Sequence, residues 1–151
     1  MPDRNSQPQI HASTRVEPGT ARAIPWWVSA LVILGALLNA TGAVLSLVHP
    51  AMLVSPHTEM NEAARVFAGY VFSRDMAIAI LLAALLLTGA RRALSQLMVL
   101  VALIQLLDTV VDCAEGRWPV AAGVLVFGIL YLIGAARISG HPLWRAEAWK
   151  L

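Results

Sequence analysis

The chain has 151 residues, 58% of them hydrophobic and only 13% charged, with a formal charge of +2. Soluble domains carry about 25% charged residues, so the composition excludes a soluble globular protein and puts most of this one in a bilayer. Its one cysteine, Cys113, excludes an intramolecular disulfide, a CxxC redox pair and a thiolate metal cage, and with them the thiol chemistry of quinone-reducing four-helix enzymes.

Residues 1–24 hold Pro, Ser, Gln, Thr and Arg without periodicity, which predicts a mobile polar tail and no secretory signal. Pro25-Trp26-Trp27 opens the first apolar span, with proline in a first turn and tryptophans at headgroup depth. The span 26–48 is uncharged over 23 residues, about 34 Å as a helix against a hydrocarbon core of about 30 Å. Val48-His49-Pro50 ends it. The Asn39-Ala40-Thr41 glycosylation sequon falls mid-span, out of reach of a transferase. In the loop that follows, Ser55-Pro56 reads as an N-cap and first helical residue, while His57, Glu59 and Glu62 read as loop surface.

The second span, 66–88, is apolar except for Arg74-Asp75. Gly89-Ala90-Arg91-Arg92 makes a tight turn that sets the second and third spans antiparallel. The third span, 93–112, carries Gln105, Asp108 and Asp112 at offsets 0, 3 and 7, one helical stripe. Glu115-Gly116-Arg117-Trp118-Pro119 turns into the fourth span, 118–136. Gly140-His141-Pro142 stops it, and residues 141–151 form a Trp- and Arg-containing tail suited to the interface. The architecture expected is all-α, an up-down-up-down four-helix transmembrane bundle over residues 25–140.

Small residues should mark the close helix contacts, because lipid supplies no hydrophobic drive between helices. They are Gly35, Asn39, Gly42, Ser46 and His49 on the first helix, Ser73, Ala77, Ile80 and Ala84 on the second, and Gly123, Phe127 and Gly134 on the fourth. Eight basic residues (Arg4, Arg15, Arg22, Arg91, Arg92, Arg137, Arg145 and Lys150) fall on one side of this layout, against Arg65 and Arg117 on the other. The positive-inside rule then puts both termini in the cytoplasm, with the bacterial inner membrane as the expected location.

A charge near the bilayer centre costs roughly 2.5–3.5 kcal/mol on insertion scales, so Arg74 and Asp75 demand partners. At 1.5 Å per residue, Asn39 lies roughly 15 Å below the end of its helix at His49, and Arg74 roughly 13 Å beyond Arg65. Gln105, Asp108 and Asp112 lie roughly 15, 10 and 5 Å below Glu115. Three helices therefore present polar groups in the same half of the membrane. The expected arrangement pairs Arg74 with Asp108, since a planar guanidinium satisfies a carboxylate through two bonds. Gln105 and Asn39 supply hydrogen bonds, and Tyr70 lies one turn before Arg74 on its face. Asp75 points about 100° away and is expected to meet a different neighbour. His49 and Asp112 complete the candidate set nearer the membrane surface.

Arg74 supplies one positive charge against three carboxylates. A protonated carboxyl, a cation, a protonated His49 or water must balance the remainder. A carboxyl kept protonated is raw material for general acid catalysis and equally for proton coupling. Three functions stay open. Arg74, Asp75 and Asp108 serve an acid/base site for a small lipophilic molecule (isomerisation, cyclisation or ring opening), with Asn39, Tyr70, Gln105, Asp112 and His49 binding it. The carboxylates instead couple protons or cations to a small transporter, as a homodimer. Or the charges lock a partner helix in an assembly subunit, where a buried pair fixes register at a cost in stability. No metal motif such as HExxH, phosphate loop, nucleophile elbow or nucleic-acid-binding feature is present, and no cofactor is expected.

The stretch Phe67–Arg92, with Ser73-Arg74-Asp75 followed by an Ala/Leu-rich helix ending on Gly89-Ala90-Arg91-Arg92, and the next helix with Asp108, resemble a group of small four-span bacterial and fungal membrane proteins, somewhat like DoxX-type proteins. The resemblance covers about Val28–Gly140. It implies the four-helix fold and a recurring intramembrane Arg-Asp pair but no activity. Where the family places a glycine soon after the pair, this chain has Met76-Ala77.

Overall fold

A computed structural model of the chain describes residues 23–53 and 61–140. Four helices follow one another: α1 (Trp26–Val48), α2 (Glu62–Leu87), α3 (Arg91–Ala114) and α4 (Trp118–Ser139). Each is long and apolar enough to cross a membrane, and no strand occurs among the described residues. This is the all-α four-helix architecture expected. The first span keeps its expected limits, α2 starts four residues earlier and ends one earlier, and α3 and α4 gain two or three residues at their ends. The sequence-predicted cap at Ser55-Pro56, residues His57 and Glu59, the stop at His141-Pro142 and both tails lie outside the described residues. A single 3₁₀ turn, Pro50–Leu53, follows α1 directly.

The helix ends have local causes. Asn61 caps α2, its side-chain oxygen accepting from the Ala64 amide at 2.9 Å. Gly89 and Gly116, both at positive φ, make the turns after α2 and α3, a conformation costly for any residue with a Cβ. Within the helices, Ser73 and Thr109 donate to the carbonyls of Gly69 and Gln105, which hides their hydroxyls from lipid.

The four helices pack as two pairs. α1 lies along α2 and α3 along α4, while the contacts between the pairs are sparse. Small residues allow the close approach within each pair. In the first, the buried Ser46 hydroxyl donates to Ala68 O at 3.2 Å. In the second, Ser95 donates to Ala135 O at 2.9 Å, and Gly128 lies against Gln105 and Ala102.

The pairs share one core, and it fills only half of the bundle. Val28, Val32, Ile78, Leu82, Leu94, Met98, Val101, Tyr131 and Ile138 belong to it, all in the half that holds the α2–α3 turn. The fully buried Tyr131 is the cross-brace: its ring fills the notch at Gly35 and its hydroxyl points at Leu31 O, 3.5 Å away. In the other half the buried positions, among them Ala43, Ser46, Ala68, Asp112 and Ala121, belong to one pair or the other. The seam between the pairs is there unfilled.

One of the expected packing stripes falls elsewhere, and a second holds in part. On α1 the stripe turns inward through Gly35 and Ser46, though His49 at its end is exposed. On α2, however, Ser73, Ala77, Ile80 and Ala84 are exposed, and Ala68, Ala79 and Leu82 make the contacts. On α4, Phe127 and Gly134 pack inward as expected, whereas Gly123 is exposed and Gly128 makes the contact with α3. Smallness alone does not choose a face. The facing side chain does, as Tyr131 does for Gly35.

Candidate polar site in the seam

Immediately above the shared core, where the pairs separate, lies a cavity of about 170 Å³. Ile78, Val101 and Ile104 line its apolar side, and Asn39, Arg74, Asp75, Gln105 and Asp108 its polar side. Five of the eight sequence-predicted site residues therefore converge from α1, α2 and α3. The depths agree because each residue sits about one to two turns beyond the last core residue of its helix.

The internal pairing differs from the expected one. Arg74 Nε donates to Asp75 Oδ1 at 2.9 Å, the long arginine side chain folding back to its neighbour. Asp75 also faces α1, where a Cβ on Gly42 would lie 3.7 Å from its Oδ2. Asp108 stands 3.8 Å from Arg74 Nη2, an ion pair without a hydrogen bond. The two-bond fork to Asp108 is thus replaced by one bond to Asp75 and a longer electrostatic contact. Asn39 donates to Gly35 O of its own helix at 2.8 Å and not to the ion pair. The Gln105 amide has no partner among the described residues.

Three expected members stand apart. Asp112 accepts from Arg117 Nη2 at the α3–α4 turn, where Arg117 Nε also approaches Glu115 at 3.1 Å. This pairing was legible in the i, i+5 spacing across Gly116, had the turn been weighed against the stripe. Tyr70 is 71% exposed and turned away from the cavity despite lying one turn before Arg74. His49 closes α1 at its C-cap, exposed, without a contact to the other candidates. No group of three metal-ligating side chains occurs among the described residues. Tyr131 was missed by sequence reasoning, and an aromatic residue two turns from Gly123 and one turn from Gly134 gave no signal that it would cross to α1.

A second cavity, about 440 Å³, is a different feature. It is an apolar groove on the outer side of the α1–α2 pair, lined by residues such as Ile33, Ala36, Leu37, Ile80 and Ala83. It lacks polar groups and carries no chemistry.

Asp112 offers a stability test separate from the seam. Its side chain is 7% exposed, so Arg117→Ala leaves a buried carboxylate unpaired and should cost about 1–3 kcal/mol. Adding Asp112→Asn to Arg117→Ala should restore most of that loss, as read by thermal unfolding in mild detergent. Equal stability of the single and double variants would mean that the pair is solvated.

The fold and site together define a polytopic α-helical membrane protein with a charged seam between two helix pairs. No protein-family model, curated protein or solved structure matches the chain.

Proposed function

We propose that the seam cavity receives the polar group of a small lipophilic molecule and acts on it by acid/base chemistry, of the isomerisation, cyclisation or ring-opening kind. The observation that carries this reading is the surplus hydrogen-bonding capacity around one cavity. Among the described residues the Gln105 amide is unpartnered, Asp108 accepts no hydrogen bond, and most of the Arg74 fork is unused. A register-fixing pair would be fully mated, since unsatisfied groups in hydrocarbon are costly. In this arrangement Arg74 orients or polarises a ligand oxygen and Gln105 donates to it. Asp108, free of hydrogen bonds, exchanges the proton. Asp75 anchors Arg74. With one arginine and two carboxylates in the cavity, one added proton brings it to neutrality and supplies the acid.

Coupled transport is the weaker reading, because Leu82, Met98 and Tyr131 fill the half below the cavity and are fully buried. The test is extraction of the purified protein with organic solvent and mass spectrometry of what it retains. Wild type should hold a lipophilic compound that Arg74→Leu and Gln105→Leu lose, with the helical content of all three unchanged. Identical extracts from the three proteins would overturn the proposal.

We also assign both termini to the cytoplasmic face of a bacterial inner membrane. Support comes from the distribution of charge: Arg91, Arg92 and Arg137 crowd one end of the described helices without a carboxylate, whereas Glu62, Asp112 and Glu115 accompany Arg65 and Arg117 at the other. An impermeant maleimide applied to intact cells should label a cysteine placed at Glu62 and not one placed at Arg92, in a Cys113→Ser background. The reverse pattern would invert the topology.

A further inference from the structure

One face of α2 is covered by nothing among the described residues. Phe67, Tyr70, Arg74, Ala77, Leu81 and Ala84 recur at offsets of 0, 3, 7, 10, 14 and 17, a single stripe, and every one of them is exposed. Arg74 lies at its centre, on the border with the seam, and its side chain is 44% exposed, as Asp108 is 43% exposed across the seam. At that depth ionic groups left uncovered are rare, and they turn toward protein or a water-filled cavity.

We infer that this stripe is the contact between two copies of the chain, and that Arg74 of one copy faces Asp108 of the partner subunit across a shared cavity, balancing charge while leaving room for a ligand between them. The patch is self-complementary. Each copy brings a guanidinium with unused donors and a carboxylate with unused oxygens, 3.8 Å apart and not hydrogen-bonded to each other. A twofold axis between two such patches sets Arg74 of one copy against Asp108 of the partner subunit, and the reverse, which is the condition for an isologous interface. Around the charges the stripe is apolar, and Ala77 and Ala84 let the helices approach closely, as expected of contacts within a bilayer.

Size points the same way. A cavity of about 170 Å³ falls below the roughly 300–1,000 Å³ of small-molecule sites, whereas two facing each other across a dyad enter that range. The site is then shared, and a single copy holds half of it. The inference stands on the charges and the uncovered stripe, so its failure would leave the ligand reading intact.

Two measurements test it. In a Cys113→Ser background, Ala77→Cys should form a disulfide-linked dimer when native membranes are oxidised. Ala83→Cys, on the opposite side of α2 in the apolar groove, should not. The second is rescue in trans. Capture of an untagged copy by a tagged one should fall about tenfold for Arg74→Asp alone and for Asp108→Arg alone. It should recover when the two variants are co-expressed, because each then meets the opposite charge only on its partner. A pair confined within one chain cannot be rescued in this way. Absence of the Ala77→Cys dimer, equal linking at both positions, or no recovery in the mixed pair would overturn the inference. The disulfide result is read with native charges and holds even where the charge variants fail to fold.

Discussion

Gly35→Ala should lower stability more than alanine at Gly134 or Gly42, by about 3 kcal/mol, the upper end of ordinary overpacking. A Cβ at Gly35 would overlap the Tyr131 hydroxyl oxygen and lie 2.7 Å from the ring carbon that bears it. The ring is rigid and fully buried, so the backbones of α1 and α4 must separate. That separation occurs at the brace joining the two helix pairs, and the sparse contacts elsewhere between the pairs offer little compensation. Gly134 makes the informative contrast. Its added Cβ would meet the Met98 methyl at 2.6 Å, but a terminal methionine methyl can swing aside, so Gly134→Ala should cost well under half as much. At Gly42 the nearest atom is 3.7 Å away, and alanine there should be neutral or stabilising by up to about 1 kcal/mol through helix propensity. Thermal unfolding in mild detergent orders the three variants. Tyr131→Phe, which removes the nearest atom, should return part of the loss at Gly35 and none at Gly134. Similar losses at all three positions would mean that Tyr131 does not brace the pairs.

The helices were legible in the sequence because their signals are one-dimensional. An uninterrupted apolar run, a proline in the first turn and a glycine at the turn each act through nearest neighbours along the chain. Depth was legible for the same reason, since a constant rise per residue converts spacing into height, and Asn39, Arg74, Asp75, Gln105 and Asp108 do share a level. Azimuth was not. Which side of α2 meets α1 depends on the shape of α1, and the stripe through Ser73, Ala77 and Ala84 has the composition of a contact face while facing outward. The same gap explains Tyr70, which shares a face with Arg74 but not the cavity. Its arginine neighbour spans the border through a long flexible side chain, and a rigid ring cannot. Asp112 was misplaced for another reason: a stripe on a helix competes with a turn at its end, and Arg117 reaches back five residues to claim the carboxylate. The partner of Arg74 turned on a balance no spacing reveals, a short bond to Asp75 against a longer reach to Asp108.

That balance decides what the two carboxylates should do when changed separately. Asp75 is 15% exposed, hydrogen-bonded to Arg74 and packed toward Gly42, so it holds the guanidinium in place. Asp108 is more open and accepts no hydrogen bond, which leaves its oxygens available to a ligand. Asp108→Asn preserves volume and moves the cavity from a net charge of −1 toward neutrality, so the fold should survive with unchanged helical content and melting. Turnover of the retained lipophilic compound should nonetheless fall by about 10² to 10⁴, the usual contribution of a positioned acid or base. Its retention should be largely unaffected, since Arg74 and Gln105 hold the polar group. Asp75→Asn should behave differently. Released from its bond, Arg74 can reach Asp108 fully and mate with it, so both binding and turnover should weaken together, and Asp75→Glu should recover more of each than Asp108→Glu recovers of turnover. Measurement in proteoliposomes, with retention and turnover read on the same preparation, separates the two roles. Full activity in Asp108→Asn would remove Asp108 from the chemistry and leave the seam as a binding site alone.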